Sequence, residues 1–179
     1  LLILFVLSQL SAQWSTDPNS PQMLGNGIQS QVKATSDGGV YVALLSDMND
    51  YRVYIQLFNS EGVSQFEQGG MLVSDNNNAS WIAVFHMNLE VDSENNAIIT
   101  VLDERSGPWN VYAYKISPNG SMLWGSDGIE LSSSIIANYS PRMAVLPDNS
   151  VVVTWAEDVI ALWFQRISAE GDLMWGDGI

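Results

Sequence analysis

A threefold internal repeat constrains the fold of this sequence more than any other feature. Three segments align, each with apolar runs separated by turn residues and each with an equivalent glycine, at Gly62, Gly120 and Gly171. These glycines recur at intervals of 58 and 51 residues. A repeat of this length holds one supersecondary unit that buries its apolar faces against its neighbours. The predicted units span residues 31–73, 87–131 and 141–179.

Each unit contains four short apolar segments, which predicts four antiparallel strands. The second segment is nearly unbroken, as expected of a strand buried on both faces. Asn, Asp and Gly occupy the turns around Gly39 and Gly62, where they tolerate the positive φ of tight hairpins. No helical period longer than two turns is present. The sequence therefore predicts an all-β fold.

Four antiparallel strands repeating about every 50 residues are typical of β-propeller blades. A β-solenoid is the competing architecture, but its coils are shorter and hold fewer strands. A closed propeller takes about four to eight blades, whereas three units are visible in this sequence. We therefore expect β-propeller-like blades that form a fragment of a larger propeller.

The first 30 residues begin with an apolar segment and continue with a polar one. Residues 1–7 are an unbroken apolar run followed by small and polar residues up to Ala12. The run is far shorter than the roughly 20 residues that cross a bilayer. An apolar run followed by small residues is typical of the cleavage region of a signal peptide. We expect residues 1–12 to be the remnant of a signal peptide, with a buried first strand as the alternative. Residues 13–30 are expected to hold part of a preceding repeat.

The charge balance restricts the class of partner. The chain has 20 acidic and 6 basic residues, for a net charge of −14. Such a field repels nucleic acids and anionic membranes, so neither is an expected partner. The absence of Cys excludes disulfides, thiolate nucleophiles and Cys-ligated zinc. No other segment is expected to span a membrane, and an extracellular glycan or protein remains as the expected partner.

The second and third units share a sequence pattern that resembles a known type of repeat. Val111-Tyr-Ala-Tyr-Lys-Ile leads to Gly120 and Trp124, and an equivalent run leads to Gly171 and Trp175. The pattern resembles the propeller-like repeats of large secreted bacterial proteins, which often end in a type IX secretion sorting domain. The first unit departs from it, with Phe66 in place of tryptophan. The resemblance implies a propeller-like fold and a secreted or cell-surface location.

The hairpins that carry these aromatic residues are expected to be structural. Ser117–Trp124 and Ser168–Trp175 are similar to the Asp-box of sialidase-like propellers, which is itself a structural hairpin. We expect the aromatic side chains to pack between blades, next to the repeat glycines. The predicted structural positions are Phe66, Trp124, Trp175, Gly62, Gly120 and Gly171.

Enzyme motifs are absent from the sequence. The only histidine, His86, has no motif that places a Ser and an Asp beside it, and there is no phosphate loop or zinc spacing. Acidic residues follow the second strand of each unit, among them Asp47, Asp103 and Glu157. They could offer oxygen ligands to Ca²⁺, but solvated turns are the preferred interpretation. The sequence predicts no catalytic residue, no metal site and no cofactor.

Two functions are consistent with these features. The first is a non-catalytic repeat module of a secreted protein, which binds a glycan or protein or acts as a spacer. The alternative is part of a sialidase- or glycosidase-like propeller enzyme with catalytic residues partly outside this chain. We expect the first.

Variable loops indicate where a ligand would bind. The connections between strands one and two, and three and four, are short and alike, whereas the others vary in length. Recognition usually lies on irregular loops of a rigid scaffold, and Trp and Tyr can stack on sugars or anchor a protein partner. We predict ligand contacts from Trp109, Arg105, Tyr139 and Trp81. A crossover packed into the core is the alternative for Trp81.

Deletion of residues 1–12 tests the signal-peptide interpretation. A chain that starts at Gln13 is expected to keep the unfolding temperature of the whole chain, because a signal peptide takes no part in the mature fold. Differential scanning calorimetry of the two chains gives the comparison. A lower unfolding temperature for the shortened chain would favour the buried strand instead.

Overall fold

The fold is all-β, as the repeats predict. A computed structural model describes residues 14, 17–21, 23–46, 51–76, 87–158 and 161–176. The predicted signal peptide, Trp81 and His86 lie outside these residues. Eleven strands form three antiparallel sheets within the described part of the chain. No helix in that part is long and apolar enough to cross a bilayer.

Each sheet is a meander, in which strands that follow each other in the chain are hydrogen-bonded neighbours. This is the strand order of a propeller blade. Sheet 1 comprises β1 (Ile28–Ala34), β2 (Val40–Leu45), β3 (Val53–Phe58) and β4 (Met71–Ser74). Sheet 2 comprises β5 (Asn88–Val91), β6 (Ala97–Asp103), β7 (Asn110–Ile116) and β8 (Ile129–Glu130). Sheet 3 comprises β9 (Asn138–Val145), β10 (Val151–Glu157) and β11 (Ala161–Ile167).

Sheet 3 has three strands where the repeats predict four. The segment expected to supply the fourth strand includes residues 177–179, which lie outside the described residues. Sheets 1 and 2 have the four strands expected.

The sheets pack face to face, with sheet 2 in the middle. Every residue of β6 and β7 is buried, because sheet 1 covers one face of sheet 2 and sheet 3 the other. Alternation along β6 sends Ile99 into the core shared with sheet 1 and Ile98 into the core shared with sheet 3. The unbroken apolar runs of the sequence are thus explained by two covered faces.

Amide side chains join the first strands of successive sheets. The Gln31 side chain donates to Met87 O at 2.6 Å and accepts from the Leu89 N–H at 3.1 Å. At the equivalent position of the next unit, Asn88 Oδ1 accepts from the Met143 N–H at 2.8 Å. These bonds fix the height of each sheet relative to the one before it.

The hairpins between the first and second strands are joined in the same repetitive way. The Ser36 N–H and hydroxyl donate to Asn95 Oδ1 at 2.7 and 2.9 Å. The Ser93 N–H and hydroxyl donate to Asn149 Oδ1 at 3.1 and 2.8 Å. Both asparagines have positive φ, 63° and 60°, a conformation that Asn tolerates better than most residues.

An aromatic side chain of each unit lies on the repeat glycine of the next. Trp124 is buried, and its Nε1 donates to Ala169 O at 3.1 Å beside Gly171. A Cβ at Gly171 would lie 2.8 Å from Trp124 Cδ1, so the contact requires glycine. Phe66 lies next to Gly120 in the same arrangement.

Trp14 makes this contact for the first unit, which the sequence did not reveal. Its Nε1 donates to Ser60 O at 3.0 Å, and a Cβ at Gly62 would lie 2.9 Å from its ring. Trp14 thus contacts Gly62 as Trp124 contacts Gly171; that residues 13–30 hold part of a preceding repeat stays a prediction. The last of these residues, Trp175, is half-buried and lies edge-on to Phe164, with ring centroids 5.8 Å apart.

A buried ion pair lies within the second unit, and its lysine also contacts the third unit. Lys115 Nζ lies 3.0 Å from Asp92 Oδ2, and the two side chains are 4% and 0% exposed. Lys115 also donates to Ala169 O at 3.2 Å, the carbonyl that accepts from Trp124. Burial disfavours the charged form of Asp92, but hydrogen bonds from Asn96 and Lys115 outweigh it and lower its pKa.

The outer face of sheet 3 is exposed. Leu162 and Phe164 are 74% and 40% exposed, whereas Val111 and Ala113, at the equivalent positions of sheet 2, are fully buried. Within the described residues no further sheet lies on this face. That these blades belong to a larger propeller stays a prediction.

Substitution of Gly171 by alanine tests the aromatic contact. We expect Gly171→Ala to lower the free energy of unfolding by about 2 kcal/mol or more, because the new methyl group displaces Trp124. Gly69→Ala is the matched control, since Gly69 also has positive φ but has nothing within 4 Å of a built Cβ. Urea unfolding measures both variants. Equal losses would show that backbone strain alone is responsible.

The Asp92–Lys115 pair predicts a dependence on pH. The folded-state pKa of Asp92 is lowered, so its stabilising contribution is present above the usual carboxylate pKa and is lost as the pH falls through the folded value. Asp92→Asn is expected to cost about 3 kcal/mol at pH 7, and this difference from wild type should shrink below pH 3.8. Urea unfolding at several pH values measures it. Asp172→Asn, at an exposed turn, should show no such change.

Candidate functional site

A cleft of about 330 Å³ opens between sheets 2 and 3. This volume falls within the usual range for small-ligand sites. Aromatic rings, carboxylates and small polar groups line it. The lining residues are Glu130, Leu131, Ser132, Ser133, Ser134, Asn138, Trp155, Glu157, Trp163, Gln165, Leu173 and Gly176.

Two strands of sheet 3 supply one wall of the cleft. Trp155 and Glu157 are two residues apart on β10, so they lie on the same face of the sheet. Trp163 on β11 is the direct cross-strand partner of Trp155, which places the two indoles side by side. Trp163 Nε1 donates to Glu157 Oε2 at 3.2 Å. The wall therefore combines two indole rings with a carboxylate.

Asn138 contributes a buried acceptor to the cleft. The residue is 1% exposed. Its Nδ2 lies 3.0 Å from both Ile136 O and Asn110 Oδ1, and 3.3 Å from Trp109 O. Within the described residues its Oδ1 accepts no hydrogen bond. A buried acceptor without a donor is unfavourable, and Asn138 is one of the residues that line the cleft.

The structure brings Trp109 and Tyr139 together, two of the residues predicted from the sequence to contact a ligand. Their rings meet edge to face, with centroids 5.7 Å apart. The Asn138 N–H donates to Trp109 O at 2.8 Å, so the pair adjoins the cleft without being part of its lining. Tyr139 lies on β9 rather than in a loop, with a positive φ of 52° at Ser140 beside it. Ligand contacts from these two residues stay a prediction.

Arg105 does not line the cleft; it folds onto the face of sheet 2 that carries Tyr112 and Tyr114. Its Nε donates to both Asp103 oxygens at 3.1 and 2.9 Å, and Nη1 donates to Asp127 O at 2.7 Å. Nη2 donates to Tyr114 Oη at 2.5 Å, and the guanidinium lies 3.9 Å from the Tyr112 ring centroid. Burial alone would lower the pKa of Arg105, but the bonds to Asp103 and Tyr114 raise it. A ligand contact from Arg105 stays a prediction, as does one from Trp81, which lies outside the described residues.

Arg105 contacts, in the second unit, residues whose counterparts in the third unit include residues that line the cleft. Its partners Asp103, Tyr112 and Tyr114 align in the repeat with Glu157, Trp163 and Gln165. Arg105 follows Asp103 by two residues, whereas Val159 follows Glu157. No Lys or Arg is among the residues that line the cleft. The cleft therefore corresponds to the Arg105 site but has no described cation. An alignment of the repeats could have revealed this difference, because Val159 stands in the third unit where the second has Arg105.

The described acidic residues form no group of three that could hold a metal ion. Of the acids considered for calcium, Asp103 pairs with Arg105 and Glu157 accepts from Trp163. Asp47 lies outside the described residues.

Comparisons with known proteins add little to this geometry. No protein-family model matches the sequence, and no curated protein sequence matches it. Among solved structures, the fold is similar to that of an endo-arabinase from Bacteroides thetaiotaomicron, with a TM-score of 0.43 and 13% identity. The match covers 84% of this chain and 60% of that enzyme, so the chain spans less than two thirds of its length.

Removal of the Arg105 side chain tests its structural role. Arg105→Ala leaves the Asp103 carboxylate, which is 1% exposed, without its cation, so we expect a loss of about 3–5 kcal/mol. Adding Asp103→Asn should recover part of it. Arg142→Ala is the control, because Arg142 is exposed and its described side-chain hydrogen bond is to the adjacent Pro141 O. Urea unfolding compares the four proteins, and a loss no larger than that of the control would contradict the role.

Proposed function

We propose that the chain is a non-catalytic binding module of a secreted or cell-surface protein and that the cleft between sheets 2 and 3 holds its ligand. The observation that carries the proposal is the buried Asn138 acceptor beside two indole rings and the Glu157 carboxylate. Apolar walls with a few convergent polar groups are the usual composition of a binding site. The export of the protein rests on the apolar run of residues 1–7.

The setting of the carboxylates supports binding rather than catalysis. Glu130 Oε1 accepts from Tyr112 Oη and from Ser106 Oγ, both at 2.7 Å. Burial, with the nearby Glu130 carboxylate, raises the pKa of Tyr112 to about 12, so its hydroxyl stays a donor at neutral pH. Glu130 is thus occupied by protein donors, whereas a glycosidase needs two carboxylates available to substrate. Glu157 accepts one described side-chain hydrogen bond, from Trp163 Nε1, and we assign it as the carboxylate that contacts the ligand.

The rigidity of the site also favours recognition. Trp155 and Trp163 lie on paired strands, and Asn138 is fixed by its Nδ2 contacts to three oxygens. A site built on strands is ordered before its ligand arrives, so binding costs little conformational entropy.

A binding screen with cleft variants tests the proposed function. The whole chain is applied to a glycan array and to a peptide array, and any ligand found is measured again with Trp163→Ala. We expect a loss of affinity of at least tenfold, because the indole forms one wall of the cleft. Phe164→Ala is the matched control, since Phe164 is an exposed aromatic on the opposite face of the same strand.

The same ligands are incubated with the protein and analysed for cleavage. Product release that disappears in Glu157→Gln would contradict the proposal and favour the enzyme alternative. A ligand whose affinity is equal in wild type and Trp163→Ala would place the binding site elsewhere.

A further inference from the structure

We propose that the cleft binds an arginine side chain of a protein partner. This inference rests on the proposed function, because it assigns the chemistry of the ligand in the same cleft. The observation that carries it is internal to the chain. In the preceding repeat, Arg105 is bound by residues that align with Glu157 and Trp163 of the cleft.

The Arg105 site shows what this backbone geometry accommodates. The guanidinium donates to the Asp103 carboxylate in a forked arrangement, to the Asp127 carbonyl and to the Tyr114 hydroxyl. Its plane lies against the Tyr112 ring, 3.9 Å from the centroid. A carboxylate at the end of one strand and an aromatic ring on the next thus form a guanidinium site on one face of a sheet.

Sheet 3 repeats the two essential groups. Glu157 aligns with Asp103 at the end of the second strand, and Trp163 aligns with Tyr112 on the third strand. The longer Glu side chain and the larger indole preserve the combination of carboxylate and ring. Trp is also the strongest cation–π partner among the aromatic residues. Both groups line the open cleft.

The cleft offers hydrogen-bond acceptors and no described cation. Asn138 Oδ1 is a buried acceptor without a donor in the described residues. The four described ion pairs of the chain involve other carboxylates than Glu157. A net charge of −14 attracts a cationic partner over a distance. Each of these features favours a donor with positive charge.

Arginine satisfies these groups better than the other candidate ligands. Its planar guanidinium has five N–H donors and stacks on aromatic rings, whereas the lysine ammonium is a compact, strongly hydrated charge. A neutral sugar could stack on the indole, but it would leave the Glu157 charge without a counterion. We therefore infer a basic segment of a protein as the partner, with Arg as its anchor.

Short peptides that differ only in charge test the inference. The probes are acetyl-Gly-Arg-Gly-amide and the same peptide with citrulline, which has nearly the same shape but no charge. Binding to the whole chain is followed by isothermal titration calorimetry at low ionic strength. We expect the arginine peptide to bind at least tenfold more tightly than the citrulline peptide.

Two variants locate the interaction. Glu157→Gln should weaken binding of the arginine peptide at least tenfold, because it removes the counterion of the guanidinium. Glu170→Gln removes the same charge from an exposed turn of the same unit and should leave binding within twofold of wild type. Circular dichroism confirms that both variants are folded.

The outcomes separate this inference from the proposed function. Equal affinity of the two peptides, no detectable binding of either, or equal effects of the two variants would overturn the arginine assignment. If the arrays yield a neutral glycan whose binding requires Trp163, the proposed function stands and the arginine inference fails. If the arginine peptide binds but Trp163→Ala has no effect, the cleft itself is the wrong site.

Discussion

The structure depends on one constraint: the apolar faces that successive sheets present to each other must be covered. β6 and β7 satisfy it completely, because sheets lie on both sides of them. Non-directional burial supplies most of the free energy, but it does not fix the height or rotation of one sheet on the next. The directional contacts of Gln31, Asn88 and the hairpin serines do so, at equivalent positions of successive units. Stability and register therefore have different sources in this fold.

The proposed binding site lies where the third unit differs in sequence from the second. Sheets 2 and 3 share the same framework at the ends of their second strands, with a carboxylate next to an aromatic ring. In sheet 2 the framework is filled from within by Arg105, and in sheet 3 it lines an open cleft. Arg105 is thus the cation of the second unit's framework, whereas the described residues that line the cleft include no Lys or Arg.

The sequence predicts the local parts of this structure well and the long-range parts poorly. The strands and hairpins follow from alternation and turn residues, which act over a few residues. Trp14 and Asn138 were missed because their roles depend on residues far along the chain, Ser60 for Trp14 and Trp109 for Asn138. Arg105 was predicted as a ligand contact because a charged loop residue beside Trp109 is typical of one, while its fold onto Asp103 becomes visible only in three dimensions.

Native-state hydrogen exchange of Trp124→Ala tests most directly whether face-to-face packing couples the sheets. Trp124 belongs to the core between sheets 2 and 3 and donates to Ala169 O of the third unit. The account predicts that amides of β6, β7 and β10 lose protection together, because exposing one face weakens both sheets that share it. The amides of β2 should keep more of their protection. Loss confined to the residues next to position 124 would contradict the account, since it would mean that each sheet is stable without its neighbour.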